Sequence, residues 1–340
     1  MSPAFDAVVV LGFGGPESMD EVPDFLRRVS GGHIPQERLD EVAGHYAHFG
    51  GVSPVNAQHR ALARALEQRL GARGLALPVV TANRHSAPLM APVLAQLAEQ
   101  GARRVLALAA APFSSYSGCR AYREELFTAL PRGRTLGVVK IGCYPQLGAL
   151  ASCQVELLEQ AFREAPDAHL VFTTHSIPTA MAASSGPHGG AYVAQHRRLI
   201  DTVMAALADR GLAPSWELAY QSRSGSPRTP WLEPDINDVL HRLARQGVRH
   251  VVCSPIGFLT DHMEVVWDLD TEASATAGNL GLGFTRVATV GAQPAFLDEL
   301  ARLVAGFLTG EARTCSGGWC GAGCCPNPRG SRPAVEGVTP

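Results

Sequence analysis

Short apolar runs alternate along this chain with longer amphipathic segments, and this alternation limits the possible folds more than any other feature. Eight runs have the length of a buried strand: 7–13, 78–82, 104–111, 137–143, 169–174, 216–220, 249–254 and 285–290. Helical patterns occupy 56–73, 91–102, 119–130, 147–164, 192–211, 235–247, 264–278 and 294–309. Runs that are apolar throughout indicate parallel strands covered on both faces, so the pattern predicts a doubly wound α/β fold.

The strands divide into two groups of four with similar spacing. We therefore predict two Rossmann-like halves, each with a four-stranded parallel sheet, and a cleft between them. The first half covers 1–165, with the helix 294–310 packing back on it, and the second covers 166–293. The length of 340 residues fits two domains of roughly 150 residues plus a remainder. Residues 311–340 are rich in Gly, Pro and Cys, which predicts a partly disordered tail.

Composition excludes several classes of function. The 29 Lys and Arg against 31 Asp and Glu give a net charge of −2, without the basic excess of a nucleic-acid binder. No run approaches the roughly 18 apolar residues that cross a bilayer, and no basic segment precedes the first apolar run as in a signal peptide. We expect a soluble, cytoplasmic protein.

In folds of this kind, ligands bind beyond the carboxyl ends of the strands. Phe13 lies in a Gly-rich turn after the first strand. The glycine spacing and Pro16 argue against a dinucleotide loop, and the turn is better suited to present Phe13 to a flat apolar ligand. His175 ends the fifth strand, either as a hydrogen-bonded loop histidine or as a general base or metal ligand.

Three carboxylates, Glu264, Asp268 and Glu272, recur every four residues in the predicted helix 264–278. On a helix they form one acidic ridge, and like charges at this spacing repel one another. A solvated acidic first turn would account for Glu264 better than for Glu272. A path that hands a divalent cation towards Glu264 would account for all three.

Four of the eight cysteines crowd into the tail: Cys315, Cys320, Cys324 and Cys325. A structural zinc ion or a [2Fe–2S] cluster needs four thiolates. Adjacent thiolates do not readily face one ion, so three tail ligands plus one from the folded body are expected.

Several segments carry a resemblance when taken together, in this order: Val10–Pro16, His45-Tyr46, Gly50–Pro54, His175–Pro178, Tyr220–Arg223, Trp231–Pro234, Pro255–Phe258 and Asp261–Glu264. Over about residues 7–310 the chain resembles ferrochelatases, the metal-inserting enzymes of haem synthesis.

The resemblance implies insertion of Fe²⁺ into a porphyrin, with release of two protons, in a cleft between the halves. By it, His175 matches the active-site histidine and Glu264 its carboxylate partner across the cleft. Asp268 and Glu272 match the acidic line behind that glutamate.

The resemblance also suggests contacts with the porphyrin. Phe13 and Trp231 are candidates for the cleft walls, and Ser53 and Tyr122 for contacts with propionates. It further implies transient contact with neighbouring haem-pathway enzymes.

Some members of the family hold a [2Fe–2S] cluster with one internal and three C-terminal cysteines. Cys153 matches the internal position, and Cys315, Cys320 and Cys324 supply the others, with Cys325 as the alternative to Cys324. A zinc ion is the simpler occupant of such a site.

Other readings stay open. The porphyrin is protoporphyrin IX or coproporphyrin III, and the opening segments, similar to actinobacterial members, favour coproporphyrin. A non-catalytic tetrapyrrole or metal carrier and a cobalt chelatase acting on an earlier tetrapyrrole are the alternatives.

Overall fold

The computed structural model describes residues 4–31, 36–133, 135–224, 228–311, 321 and 323–335. Cys315 and Cys320 lie outside the described residues. The strands are β1 Ala7–Gly12, β2 Val79–Asn83, β3 Arg104–Ala109, β4 Gly137–Lys140, β5 His169–His175, β6 Trp216–Gln221, β7 His250–Ser254 and β8 Gly283–Arg286. The helices are α1 Val22–Ser30, α2 Gln36–His48, α3 Val55–Gly71, α4 Met90–Glu99, α5 Ala121–Ala129, α6 Gly148–Glu164, α7 Thr179–Ala183, α8 Ala191–Asp209, α9 Ile236–Arg245, α10 Met263–Val265, α11 Ser274–Asn279 and α12 Pro294–Thr309.

The eight strands form two separate four-stranded sheets in which every pairing is parallel. The order is β2-β1-β3-β4 in the first sheet and β6-β5-β7-β8 in the second, so the two halves share one topology. All six residues of β1 are buried, as expected for a central strand covered on both faces. The predicted fold class, with its two parallel four-stranded sheets, is confirmed.

One buried apolar cluster runs through both halves. It includes Leu66 from α3, Phe172 from β5 and Val203 from α8, and α12 contributes Leu300. The Arg69 guanidinium on α3 lies 2.6 Å from the Asp298 carboxylate on α12. The late helix α12 thus packs on elements from early in the chain.

Several turns lie at the edge where helices lead into strands. Gly101 after α4 and Gly247 after α9 both have positive φ, at 96° and 81°. Each amide donates to a carbonyl of the preceding helix, at Ala98 and Ala244. Glycine adopts this left-handed conformation without a steric penalty, so these residues end the helices.

Three details differ from the sequence expectation. The last strand begins at Gly283, two residues before the predicted 285–290. The helices α1 and α2, which the strand-and-helix pattern did not include, form a pair packed beside the second half. The predicted helix 264–278 contains a π-helical segment, Val266–Ala273, between α10 and α11.

Candidate functional site

His175 and Glu264 meet at the carboxyl edge of the second sheet. His175 is the last residue of β5, and Glu264 lies in α10, shortly after β7. The His175 Nε2 atom is 3.3 Å from the Glu264 Oε2 atom. Their side chains remain 32% and 52% exposed, so the pair faces open space.

This contact corrects one expectation. The resemblance placed the carboxylate across the cleft from the histidine, and a porphyrin bound in that cleft would then lie between the two side chains. A separation of 3.3 Å between the two side chains leaves no room for such a ligand. Both groups belong to the second half and therefore approach a ligand from the same side.

The backbone around His175 fixes the orientation of its ring. Its Nδ1 atom lies 2.5 Å from the Ser176 carbonyl oxygen. A carbonyl only accepts, so Nδ1 carries a proton and donates it, and Nε2 is the nitrogen directed at Glu264. The Tyr192 hydroxyl donates to the His175 carbonyl at 2.8 Å. The loop after β7 reaches this place because Gly257 has no side chain, since a Cβ there would lie 2.1 Å from Thr174 Oγ1.

The pairing of His175 with Glu264 shifts the pKa of both side chains. Burial alone would lower the pKa of His175, but its hydrogen bond to Glu264 and the carboxylate charge outweigh burial and raise the pKa to about 8. Burial alone would raise the pKa of Glu264, but its hydrogen bond to His175 and the imidazolium charge lower the pKa to about 2. At neutral pH the pair is therefore an imidazolium beside a carboxylate.

Behind the pair, the π-helical segment carries the next carboxylates. Asp268 is half-buried, accepts a hydrogen bond from the Ser222 hydroxyl, and lies 3.4 Å from the Gln221 amide nitrogen. Burial raises the pKa of Asp268 to about 7, and the charges of Glu264 and Glu272 act in the same direction. Glu272 is exposed. The predicted acidic series thus runs from Glu264 in the pair, through half-buried Asp268, to exposed Glu272.

The first half contacts the region around His175 and Glu264. The Asp261 amide donates to Gln58 Oε1 on α3 at 2.9 Å. Met263, next to Glu264, packs in an apolar cluster with Phe25 of α1 and Tyr46 of α2. The site consequently lies where the two halves meet.

The predicted wall residues lie in different settings. Phe13 is 42% exposed after β1, and its ring centroid is 4.5 Å from that of His85. Trp231 is half-buried and forms a β-bridge to Pro178, the last residue of the histidine motif. Ser53 and Tyr122 are buried, so their contact with a ligand stays a prediction.

Sequence reasoning missed four residues around the pair. His262 Nδ1 lies 3.8 Å from Glu264 Oε2, and Tyr46 lies near enough for the Glu264 charge to raise the pKa of its buried hydroxyl further. Gln221 and Ser222 hold Asp268. Each of these residues lies inside a motif given in the sequence analysis. The motifs therefore pointed to these residues, but the sequence does not show which side chains they contact.

The cysteines are not distributed as predicted. Cys153 is buried in the large shared core. Cys324 and Cys325 instead form a separate buried cluster with Cys119 and Cys143. Within the described ranges, no three His, Cys, Asp or Glu side chains are already arranged to coordinate one metal ion.

No helix in the described part of the chain has both the length and the apolar character needed to cross a membrane.

Comparisons with known proteins identify the family that this sequence matches. The family described as Ferrochelatase matches residues 5–307. The chain is 63% identical to the coproporphyrin III ferrochelatase of Propionibacterium freudenreichii subsp. freudenreichii, with 98% of each chain covered. It is 45% identical to the coproporphyrin III ferrochelatase of Streptomyces coelicolor, covering 98% of this chain and 96% of that relative.

Among solved structures, the chain is similar in fold to CbiX, described as the terminal enzyme for biosynthesis of siroheme in denitrifying bacteria. The TM-score is 0.50 at 15% identity, over 88% of this chain and 98% of that one. The sirohydrochlorin chelatase SirB of Bacillus subtilis subspecies spizizenii, in complex with cobalt, also gives a TM-score of 0.50, at 12% identity over 89% and 95% of the two chains.

Proposed function

The chain belongs to the ferrochelatase family, and on that premise we propose that its porphyrin substrate is coproporphyrin III. The family assignment makes it an enzyme of haem biosynthesis that inserts iron into a porphyrin, with Fe²⁺ as a substrate. The choice of porphyrin rests on one observation. The coproporphyrin III ferrochelatase of Propionibacterium freudenreichii is 63% identical over 98% of both chains.

Basic groups near Phe13 support this choice. Coproporphyrin carries four carboxylates, so its cleft needs more donors than one for protoporphyrin. Arg27 and Arg28 of α1 line a surface pocket together with Asp24. The Arg28 guanidinium donates to the His85 carbonyl at 3.2 Å, and the His85 ring in turn lies against the exposed Phe13 ring. Arginine in such a position can pair with a propionate.

We assign proton removal to His175. Two pyrrole N–H protons leave as the metal enters, and Nε2 of His175, once it has lost its own proton, can take them one at a time. Glu264 stabilises the imidazolium that results. Because both groups approach from one side, deprotonation takes place on one face of the porphyrin.

We assign delivery of iron to the acidic series. Fe²⁺ would pass from exposed Glu272 to Asp268 and then to Glu264, held by oxygen ligands that release it readily. Asp268, with its pKa raised to about 7, can also receive protons that leave along the same line.

The wall and propionate roles of Phe13, Trp231, Ser53 and Tyr122 are part of the same proposal. Phe13 and Trp231 offer apolar surface to a flat ring. Ser53 and Tyr122 would have to become accessible when porphyrin binds, since both are buried. Cytoplasmic location and transient contact with neighbouring pathway enzymes also remain proposals, carried by the resemblance alone.

A [2Fe–2S] cluster held by Cys153 with tail cysteines does not fit the described residues. Cys153 belongs to the core shared by the two halves, whereas Cys324 and Cys325 pack elsewhere. We therefore route no step of iron insertion through a cluster.

A turnover assay with both porphyrins tests the substrate. We expect Fe²⁺ insertion with a higher kcat/KM for coproporphyrin III than for protoporphyrin IX. A matched Co²⁺ assay with sirohydrochlorin controls for chelatases of similar fold. A preference for protoporphyrin IX would overturn the proposed substrate. Insertion of Fe²⁺ into neither porphyrin would overturn the proposed ferrochelatase activity.

A further inference from the structure

Five carboxylates lie within the twelve residues 261–272. The proposed iron series uses three of them, Glu264, Asp268 and Glu272. The other two are Asp261, in the loop after β7, and Asp270, in the π-helical segment. Each lies within three residues of a member of the series, so sequence position alone does not separate the two sets. Their contacts do.

One arginine contacts both of the remaining carboxylates. Arg286 is the last residue of β8, and its Nε and Nη2 atoms lie 2.5 and 2.8 Å from the two oxygen atoms of Asp270. Its Nη1 and Nη2 atoms lie 3.2 and 3.5 Å from the two oxygen atoms of Asp261. Arginine carries five N–H groups in a rigid planar fork, so one guanidinium can hold two carboxylates in a fixed arrangement.

These contacts are largely shielded from water. The Arg286 side chain is 15% exposed, against 19% for Asp261 and 38% for Asp270. Burial alone would lower the pKa of Arg286, but its hydrogen bond to Asp270 and the charge of Asp261 outweigh burial and raise the pKa, so the group stays a cation. Bidentate pairs of this kind are strong and geometrically specific. The oxygen atoms of Asp261 and Asp270 are therefore already engaged and their charge is partly balanced.

The contact with Asp270 also helps to hold the π-helical segment in place. The outer strands of the second sheet are β6 and β8. At the end of β6, Gln221 and the Ser222 hydroxyl contact Asp268, and at the end of β8, Arg286 contacts Asp270. Residues two positions apart on a helix do not share a face, so contacts to both fix the rotation of the segment about its axis.

Arg286 fixes the loop before the segment as well. The Asp261 amide donates to Gln58 of the first half at 2.9 Å, while the Asp261 carboxylate accepts from Arg286. Arg286 thus contacts the chain three residues before Glu264 and six residues after it. Long π-helical stretches are rare, so a segment of eight residues depends on tertiary contacts such as these.

We propose that Arg286 is a positioning residue for iron delivery: by holding Asp261 and Asp270, it directs Glu264 and Asp268 towards the incoming ion and keeps its own two partners from binding iron. The inference rests on the proposed delivery of Fe²⁺ along the acidic series. In this role Arg286 contacts neither substrate and acts only through the carboxylates. Its loss should therefore impair the use of Fe²⁺ and leave the use of porphyrin nearly unchanged.

The test compares KM for Fe²⁺ with KM for the porphyrin in the full-length enzyme. Arg286→Gln should raise KM for Fe²⁺ about tenfold and change KM for the porphyrin by less than about twofold. Arg286→Lys should restore only part of the loss, because an ammonium group lacks the planar fork. A purely structural role would instead lower the amount of active enzyme, and so kcat, without this difference between the two KM values.

Arg242→Gln is the matched control. Arg242 pairs with Glu217 in the same half but at a distance from the acidic series, so its loss should leave both KM values unchanged. Asp270→Asn tests the Arg286 contact from its more exposed partner and covers the case in which Arg286→Gln folds poorly. It should also raise KM for Fe²⁺, and the double variant should add less than about twofold, because both substitutions break one contact.

Asp268→Asn separates this inference from the proposed function. If the wild type inserts Fe²⁺ and Asp268→Asn raises KM for Fe²⁺, the delivery route stands. An unchanged KM in both Arg286→Gln and Asp270→Asn, or effects that multiply in the double variant, would then overturn the role of Arg286 alone. If Asp268→Asn leaves KM for Fe²⁺ unchanged, the delivery route is wrong and this inference falls with it.

Discussion

At the scale of single residues, the site depends on how His175 is held. Its Nδ1–H group donates to the Ser176 carbonyl, so Nε2 is the ring nitrogen that faces Glu264. The same contact that orients the ring also raises its pKa to about 8. If His175 is the base, as we propose, it must lose its own proton before it can accept one from the porphyrin, and the pair would then set the pH range of insertion.

We therefore predict that kcat/KM for the porphyrin rises with pH and levels off above about 8, because only neutral His175 can accept a proton. Glu264→Gln removes the charge that raises the pKa, so the inflection should move to lower pH. Steady-state kinetics from pH 6 to pH 9 at saturating Fe²⁺ would measure both profiles.

His175→Ala serves as the control for this profile. It should lower kcat by about a hundredfold or more and remove the inflection, while porphyrin binding measured by fluorescence quenching persists. An unchanged inflection in Glu264→Gln would show that another group titrates.

Sequence identified the chemical groups of the site better than their arrangement. His175, Glu264 and Asp268 were selected from motif and spacing, and the structure brings these three together. Spacing along the chain carries no information on whether a loop folds to the near or the far wall of a cleft. The side-by-side arrangement of His175 and Glu264 follows from the loop after β7 crossing the end of β5 at Gly257.

At the scale of elements, the pair α1 and α2 joins the first half to the π-helical segment. The His45 ring stacks on Trp267, with centroids 3.8 Å apart and planes inclined by 10°. Trp267 directly precedes Asp268, so α2 supports the segment that carries the carboxylates. The i→i+5 bonding of a π-helix is frequently found at functional sites.

Trp267→Ala should therefore weaken both the fold and the site. We expect a loss of about 2 kcal/mol in the free energy of unfolding, less than for a fully buried aromatic residue because Trp267 is half-buried. The KM for Fe²⁺ should rise several-fold as the segment loses its support. Urea unfolding and steady-state kinetics would measure the two effects.

Trp216→Ala is the matched control, since Trp216 begins β6 at the edge away from the site. It should leave the KM for Fe²⁺ unchanged. Equal effects of the two substitutions on KM would contradict a local role for the stack.

The elements themselves were predictable to different degrees. Strands such as β1 and β3 were predictable because both faces of the sheet are covered there. All six residues of β1 and all but the first of β3 are buried, which yields apolar runs. The helix α1 has buried Val22, Phe25 and Leu26 at helical spacing, a signal that was present but short. The π-helical bonding at 266–273 leaves no mark in the hydrophobic pattern, because its buried residues, Leu269 and Ala273, lie four positions apart as they would in an α-helix.

At the scale of the whole molecule, the two halves share topology and also share a core. The same buried cluster contains Leu66 of the first half and Phe172 of the second, with Leu300 of α12 among them. A core that crosses the boundary opposes independent unfolding of the halves.

We predict a single cooperative thermal transition. Three of the four tryptophans, Trp216, Trp231 and Trp267, lie in the second half, and a Trp319→Phe background removes the signal of the tail. The fluorescence then follows the second half, whereas far-UV circular dichroism follows both halves. The two signals should change together. Leu300→Ala, at a fully buried position in α12, should lower the free energy of unfolding by about 3 kcal/mol and shift both signals equally. Two separate midpoints would contradict the shared core.

The parallel strands place the loops that carry the candidate site residues at one edge of each sheet and the helix-to-strand turns at the other. At that far edge, the turns at Gly101 and Gly247 have open space around them, with no atom within 4 Å of where a side chain would begin. An exposed neighbour in these turns, such as Gln100 or Gln246, is therefore a suitable point for a dye or for tethering to a bead. An enzyme anchored there would still present its porphyrin slot to the solution.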